Sequence, residues 1–197
     1  MKHLHMKDLI LTGALSAVYF VGVGLGTLLA FLITRSASTE LAPAFAALLC
    51  GTIYILLIAK IQKFGAISLM GAVMSLFFFF SGHFLLAVIP SLGCALLADW
   101  IASQKNYLSS GLNLLSYVIF SFGNLGPIFL MWVARDAYIE KLLERGKDMD
   151  YVNRVMIEFN LGNVSYICGS IILFAIIGGV IGQKLVARHF LTSGLVK

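Results

Sequence analysis

Long apolar stretches, separated by short polar connections, make up nearly the whole chain. Six of them approach the length of about 20 residues that a helix needs to cross the hydrocarbon core. They are 9–33, 41–59, 66–80, 84–102, 111–134 and 161–183. A segment in lipid must satisfy its own backbone hydrogen bonds, which favours helices for all of them. The pattern therefore predicts an all-α, polytopic membrane protein, with six transmembrane helices in one bundle and a single domain, 1–197.

The breaks between and within these stretches follow glycine, serine and proline. Ser81 and Gly82 separate the third stretch from the fourth, since both residue types favour tight reversals. Pro127 falls inside the fifth stretch and is expected to kink its helix or to open a backbone carbonyl toward a cavity. Pro43 sits in the first turn of the second stretch, where its missing N–H costs nothing.

One sizeable piece of the chain, 135–160, lies outside the apolar stretches. Val152, Val155, Met156 and Phe159 recur in it at helical spacing, which favours an amphipathic helix across the mouth of the bundle. The piece is either a solvated connector or a lid over a binding site that faces outward.

The composition indicates that the chain resides in a lipid bilayer, and the distribution of charge indicates its orientation there. Hydrophobic residues make up 60% of the chain and charged residues 12%, against about 25% charged residues in soluble domains. Lysine and arginine number eight in the tails and in the second and fourth connections, against one in the first and third connections. The fifth connection adds five to this opposite side. Because short loops rich in these residues stay inside, both termini are predicted to be cytoplasmic and 135–160 extracellular.

Catalytic and metal-binding motifs are scarce. The sequence has no GxxxxGK[ST] phosphate loop, no HExxH pair and no GxSxG elbow. Cys50, Cys94 and Cys168 lie in apolar stretches without metal or redox spacing and are interpreted as packing residues. Asp99 lies near the cytoplasmic end of the fourth stretch, where it could reach water. The chain is predicted not to be an enzyme and to have no intrinsic cofactor, so energy for uphill movement must come from another subunit.

Polar and aromatic residues gather toward the predicted outer side. Aromatic walls with a few polar groups are what a small-molecule pocket requires, although aromatic residues alone are equally typical of an interfacial belt. A polar amide inside a span needs a partner, which is either a neighbouring helix or a ligand. His83 is a candidate hydrogen-bond donor or metal ligand, although a lone histidine is more often structural. The candidate substrate-binding residues are Phe79, Phe80, His83, Asn124, Trp132, Arg135, Asp136, Tyr138, Asn163 and Tyr166.

A face of small residues lies early in the first stretch. Gly13 and Ala17 are one helical turn apart, with Ala14 beside them, and such a face lets another helix approach closely. Three glycines further along continue the smooth surface: Gly22, Gly24 and Gly26. The face serves either internal packing of the bundle or docking onto a partner.

These features together resemble the substrate-binding S components of energy-coupling factor (ECF) vitamin transporters, and within them the integral-membrane group called Trep_Strep. The resemblance covers nearly the whole chain and depends on the order and spacing of several short motifs. They are Met6-Lys7-Asp8-Leu9-Ile10, Gly13-Ala14-Leu15-Ser16-Ala17, Lys63-Phe64-Gly65, Ser81-Gly82-His83, Leu97-Ala98-Asp99, Arg135-Asp136-Ala137-Tyr138 and the Gly178-Gly179 stretch that ends in Lys184.

The resemblance implies a six-helix S-component fold in the bacterial plasma membrane, with a vitamin site on the outer face. It implies docking through an AxxxA face of the first helix, here Gly13, Ala14 and Ala17, with glycine in place of the first alanine. The docking partner would be the transmembrane subunit EcfT. Two cytoplasmic ATPases, EcfA and EcfA', would then use ATP to drive a toppling of the S component that carries the substrate inward.

The substrate implied by the resemblance is a vitamin or a related micronutrient. Cobalamin is the leading prediction, because an aromatic-rich mouth, an outer lid and His83 as a candidate cobalt ligand suit a corrinoid. Pantothenate, a queuosine precursor and a pyridoxine-type compound are the other candidates.

Two other classes of protein are alternatives. The first is a small integral-membrane enzyme that uses His83, Asp99, Arg135 and Asp136. Against it, His83 and Asp99 would lie roughly 24 Å apart along one helix, too far for a shared site. The second is a stand-alone carrier or channel, against which the sequence shows no buried ion pair and no internal repeat.

Overall fold

A computed structural model describes residues 4–35, 40–80 and 88–191 of the chain. Within these ranges every regular element is helical, as predicted, and no strand occurs. The α-helices are α1 (Met6–Thr34), α2 (Ala42–Ile61), α3 (Ala66–Phe80), α4 (Val88–Ser103), α5 (Ser110–Ser121), α6 (Gly126–Val133), α7 (Arg135–Glu144), α8 (Met149–Val155) and α9 (Leu161–Leu185). The predicted break at Ser81 and Gly82, and the candidate residue His83, lie outside the described ranges.

Four helical segments within the described ranges are long and apolar enough to cross a membrane. They are α1, α2, the combined segment Ser110–Val133 that contains α5 and α6, and Leu161–Arg188, which contains α9. α3 and α4 are also apolar but have only 15 and 16 residues, and both border residues 81–87. The structure therefore supports an all-helical, polytopic membrane protein and describes four of the six predicted spans at full length.

The fifth predicted span is broken near its middle, next to Pro127. α5 ends at Ser121, a 3₁₀ turn covers Phe122–Leu125, and α6 begins at Gly126. Pro127 stands in the first turn of α6, where its missing N–H needs no partner. The turn carries Asn124 into the interior, where only 8% of that residue is exposed. The proline thus sets the place at which a polar side chain enters the apolar bundle.

α2 packs between α1 and α9, and glycines bring its backbone into direct contact with α9. A Cβ built on Gly51 would lie 2.2 Å from the carbonyl carbon and oxygen of Gly178. A Cβ built on Gly182 would lie 2.7 Å from the carbonyl oxygen of Gly51. No side chain fits at these distances, so the two backbones touch as small-residue faces allow. Gly178 and Gly182 of α9 therefore form a packing surface against α2.

The glycines of α1 point in two directions. Gly22 and Gly26 face α2, where an added Cβ would lie 2.5 Å from Cys50 Sγ and 2.5 Å from the backbone nitrogen of Ala46, respectively. A Cβ added to Gly24 would have no atom within 4 Å. One continuous smooth surface through all three glycines was the expectation, and it is wrong. Because a helix turns by about 100° per residue, glycines two positions apart fall on different sides.

A buried carboxylate organises the lower end of the bundle, where α2 joins α3 and α4 joins α5. Asp99 is fully buried. Its Oδ2 accepts hydrogen bonds from the backbone N–H groups of Gly65 (2.9 Å) and Ser68 (3.0 Å) and from the Ser68 hydroxyl (2.7 Å). The Tyr107 hydroxyl donates to Oδ1 at 2.7 Å. The expectation that Asp99 could reach water is wrong, because these donors enclose both of its oxygens.

Two further residues extend this polar cluster to neighbouring elements. Burial and the hydrogen bond to the Asp99 carboxylate raise the pKa of Tyr107, so its hydroxyl stays protonated and continues to donate. Lys63, in the connection between α2 and α3, lies 2.6 Å from the carboxylate of Asp8 in the first turn of α1. The lower end therefore joins α1, α3, α4 and the two connections through polar contacts.

Candidate functional site

The upper end of the bundle, opposite the Asp99 cluster, contains a cavity of about 260 Å³. Its wall is mostly apolar and comes from α1, α2, α3, the 3₁₀ turn, α6 and α7. The lining residues are Val23, Thr27, Ala42, Pro43, Ala46, Phe78, Asn124, Pro127, Ile128, Met131 and Tyr138. The volume lies just below the range of about 300–1,000 Å³ that is usual for drug-sized ligands. The cavity therefore suits a small molecule.

Asn124 supplies an amide to this cavity and also contacts a neighbouring helix. Its Nδ2 donates to the hydroxyl of Tyr19 on α1 at 3.3 Å. The Tyr19 ring is fully buried and packs edge-on against Phe120, with 5.4 Å between the ring centroids. A buried amide needs a hydrogen-bond partner, and the Tyr19 hydroxyl on a neighbouring helix provides one. Its side-chain oxygen can accept a hydrogen bond from a bound molecule.

Tyr138 brings a second polar group to the cavity from α7. Burial raises the pKa of the Tyr138 hydroxyl, and the nearby Tyr151 raises it further. The hydroxyl therefore stays neutral at physiological pH and can donate or accept one hydrogen bond. Because α7 begins directly after α6, the same chain segment forms the wall of the cavity and its cover.

The segment 135–160 lies over the upper end and packs onto the bundle. Val152 and Val155 of α8 and Ile157 beyond it are 1%, 7% and 3% exposed, respectively. Ile157 joins a core cluster with residues of α2, α6 and α9: Ala44, Ile128, Met131, Ile167 and Ile171. Val152 and Val155 therefore face inward, as the helical spacing predicts. Phe159 does not, because α8 ends before it, and its side chain is 73% exposed.

A second cavity of about 290 Å³ lies beside the first, and Met131 lines both. Its wall includes Trp132, Arg135 and Glu158. The Trp132 ring packs against Phe159, with 5.5 Å between centroids. Its indole N–H is buried and has no acceptor in the part of the chain that the structure describes. Arg135 is exposed, so this second cavity, unlike the first, has charged groups at its rim.

The sequence as a whole matches the family model described as "Hypothetical bacterial integral membrane protein (Trep_Strep)" over residues 6–191. The chain belongs to the Trep_Strep family. Comparison with curated proteins and with solved structures gave no match. Family membership and the long apolar helices together make this Trep_Strep protein a multi-pass protein of the bacterial membrane.

Several predicted site residues of the Trep_Strep protein lie outside the first cavity. Phe79 and Phe80 are 47% and 78% exposed and do not line it, while their neighbour Phe78 does. Asp136 and Tyr166 are exposed on the surface. Successive residues of a helix face different directions, so only one member of the phenylalanine run lines the cavity.

Asn163 has a local structural role at the start of α9. Its backbone N–H donates to the side chain of Asn160 at 2.8 Å, and its own amide donates to the backbone carbonyl of Glu158 at 2.9 Å. These bonds cap a helix that begins at Leu161.

The structure therefore brings Asn124 and Tyr138 together at one cavity and Trp132 and Arg135 at the other. Asn163 lies outside both.

Sequence reasoning missed several lining residues, notably Thr27, Pro43 and Met131. One signal was available, because Tyr19, Val23 and Thr27 are spaced by four residues and share one helix face. Tyr19 and Thr27 are the polar members of that row. A search for polar residues at such spacing would have pointed to this face of α1.

The small-residue face of the Trep_Strep protein points away from its own bundle. Gly13, Ala14 and Ala17 are all exposed, and a Cβ added to Gly13 would have no atom within 4 Å. The opposite face of α1 packs inward and carries Thr12 and Ser16, both fully buried. Packing among the residues that the structure describes therefore does not use the predicted docking residues.

Proposed function

We propose that this protein is the substrate-binding S component of an ECF-type micronutrient importer and is not itself an enzyme. The observation that carries the proposal is the position of two surfaces on α1. Val23 and Thr27 line the upper cavity, whereas Gly13 and Ala17 form an exposed face toward the lower end. Ten residues of helix, about 15 Å, separate Ala17 from Thr27. One rigid helix thus carries both a ligand site and a partner site.

The exposed small residues support docking in lipid. Lipid tails are as apolar as leucine, so association of membrane helices depends on close backbone approach. Gly13 and Ala17 permit that approach because both are exposed and no side chain in ranges 4–35, 40–80 and 88–191 covers them. The partner in this proposal is the transmembrane subunit EcfT, with the ATPases EcfA and EcfA' attached to it. ATP hydrolysis by those subunits would supply the energy for toppling.

The proposed fold is a six-helix bundle with both termini in the cytoplasm. In that orientation the Asp99 cluster lies on the cytoplasmic side, and the upper cavity opens outward beneath α7 and α8. The excess of lysine and arginine in the tails and in the short connections of the lower end supports this orientation.

Cysteine labelling in intact cells tests the orientation. Lys105 lies at the lower end and Glu144 at the upper end, and both are exposed. In a chain whose three cysteines are replaced by alanine, we expect a membrane-impermeant maleimide to label Glu144→Cys. Lys105→Cys should be labelled only after the cells are opened. Labelling of Lys105→Cys in intact cells would reverse the orientation and with it the outward-facing site.

Co-purification tests the docking face and the proposed function. Replacing both Gly13 and Ala17 by leucine should reduce the co-purified transmembrane subunit and ATPases by at least about tenfold, because the larger side chains hold the partner helix away. Binding of substrate by the isolated protein should be unchanged. Gly169→Leu is the matched control, since Gly169 is an exposed glycine of α9 with no atom within 4 Å of an added Cβ.

Two results would contradict the proposal. The first is normal assembly and normal uptake by the Gly13→Leu, Ala17→Leu protein. The second is accumulation of substrate in liposomes by the isolated protein without nucleotide, which would favour a stand-alone carrier.

The volume of the upper cavity bears on the choice of micronutrient. A corrinoid is several times larger than a cavity of about 260 Å³, and His83, on which the cobalamin prediction depends, lies outside the described residues. Within the described part of the site, a smaller micronutrient is therefore the better supported substrate.

A further inference from the structure

The polar groups that the described residues bring to the upper cavity are uncharged. Among the lining residues that the structure describes, none is lysine, arginine, histidine, aspartate or glutamate. Thr27, Asn124 and Tyr138 are the polar ones. The Thr27 hydroxyl donates to the backbone carbonyl of Val23 at 3.0 Å, so toward a ligand it offers only an acceptor. The Asn124 amide is likewise held by Tyr19 and offers its carbonyl.

Tyr138 does not supply a charge either. Burial holds the pKa of its hydroxyl above the usual value, so the side chain remains neutral at physiological pH. Arg135 and Glu158 belong to the neighbouring cavity, and Met131 forms the wall between the two. The described residues therefore surround a molecule in the upper cavity with apolar side chains and neutral hydrogen-bonding groups.

Such a wall strongly favours uncharged ligands over charged ones. An ion that enters it loses its hydration and gains no counter-charge, which is far more costly than the transfer of a hydrogen-bonded neutral group. A neutral molecule that carries an N–H or O–H group can donate to the carbonyl of Asn124 or the hydroxyl of Thr27, and can accept from Tyr138. Its apolar part fills the space lined by Pro43, Ile128 and other apolar residues.

We infer that the substrate is a small, uncharged molecule with an apolar or aromatic body and an amide-like or hydroxyl group that hydrogen-bonds to Asn124. The inference rests on the proposed function and makes it more specific. It excludes substrates that are charged at physiological pH, such as free carboxylates, phosphate esters and quaternary cations.

Matched pairs of small vitamins and their derivatives test the inference. The probes are nicotinamide with nicotinate, panthenol with pantothenate, and pyridoxine with pyridoxal phosphate, each added to the purified full chain in nanodiscs. Binding is measured by equilibrium dialysis and by the rise in thermal transition temperature. We expect at least one neutral compound to bind, with at least about tenfold preference over its charged partner. Preference for a charged member, or binding by none of the neutral ones, would overturn the inference.

A charge introduced at Asn124 should reverse the preference. Asn124→Asp keeps the side-chain shape but replaces the N–H that donates to the Tyr19 hydroxyl by an oxygen, which can accept a hydrogen bond from that hydroxyl. It should weaken binding of the neutral compound by at least about tenfold and favour the cationic analogue, for example 3-(aminomethyl)pyridine in place of nicotinamide. Asn124→Leu removes the amide without adding charge. It should weaken binding of the neutral compound without favouring binding of the cation.

Asn163→Asp is the matched control, because it makes the same chemical change outside the cavity and should leave all affinities unchanged. Equal effects of the two aspartate variants would remove Asn124 from the site. Co-purification of each variant with the ATPase subunits is measured in parallel. If the protein assembles with the ATPase subunits but prefers a charged ligand, the inference of a neutral substrate is wrong and the proposed receptor function stands. If the unmodified chain does not assemble with them, the proposed receptor function itself is wrong.

Discussion

Replacing Gly51 by valine is expected to prevent stable folding of this Trep_Strep protein. The Cβ of residue 51 would lie 2.2 Å from the backbone carbonyl of Gly178. A backbone, unlike the end of a flexible side chain, cannot yield without separating α2 from α9. We expect a loss of about 4 kcal/mol or more in unfolding free energy. It should appear as loss of the monodisperse peak in size-exclusion chromatography and of a cooperative thermal transition in detergent.

Gly24→Val is the control for this substitution. Gly24 also lies inside a long spanning helix, but an added Cβ there would have no atom within 4 Å. Its thermal transition should remain close to that of the unmodified protein. If Gly51→Val were as stable as Gly24→Val, the direct backbone contact between α2 and α9 would not exist in the membrane.

Replacing Asp99 by alanine is the second change with a large expected effect. The substitution removes the acceptor of four hydrogen bonds and leaves the part-buried donors of Gly65 and Ser68 and the buried hydroxyl of Tyr107 without it. A buried donor without an acceptor costs about 1–3 kcal/mol. Since relaxation recovers part of the sum, we expect a loss of about 3 kcal/mol or more, measured as the fall of the thermal transition temperature in nanodiscs.

Two variants separate the hydrogen bonds of Asp99 from general effects. Asp99→Asn keeps the shape and one carbonyl acceptor for Gly65 and Ser68, so it should restore at least half of the lost stability. Asp136→Ala removes an exposed carboxylate and should change stability little. Equal losses for Asp99→Ala and Asp136→Ala would show that the Asp99 cluster contributes nothing to stability.

The helical class and most span positions follow from local sequence. α1, α2 and α9 begin and end within a few residues of the predicted stretches, because a run of about 20 apolar residues has one favourable conformation in lipid. The break near Pro127 is also local, since proline removes an N–H and excludes the preceding turn from regular helix.

The site was predictable in part, and the reasons differ by residue. Asn124 was identifiable because an amide in an apolar segment requires a partner, and the structure places it between Tyr19 and the cavity. The phenylalanine run was ambiguous, since the sequence does not show which of its members faces inward. Asn163 is polar like Asn124, but its partners are local backbone groups, which composition cannot distinguish from a ligand.

By itself the sequence determined the solvent, the helices and the residues able to form a smooth or a polar surface, because these depend on side-chain chemistry and local spacing. The tertiary structure decided the direction of each surface. Gly22 turns inward while Gly13 turns outward, and Asp99 is enclosed by donors up to 34 residues away. Those outcomes depend on which helices pack together, and contacts between distant segments leave no periodic trace in the chain.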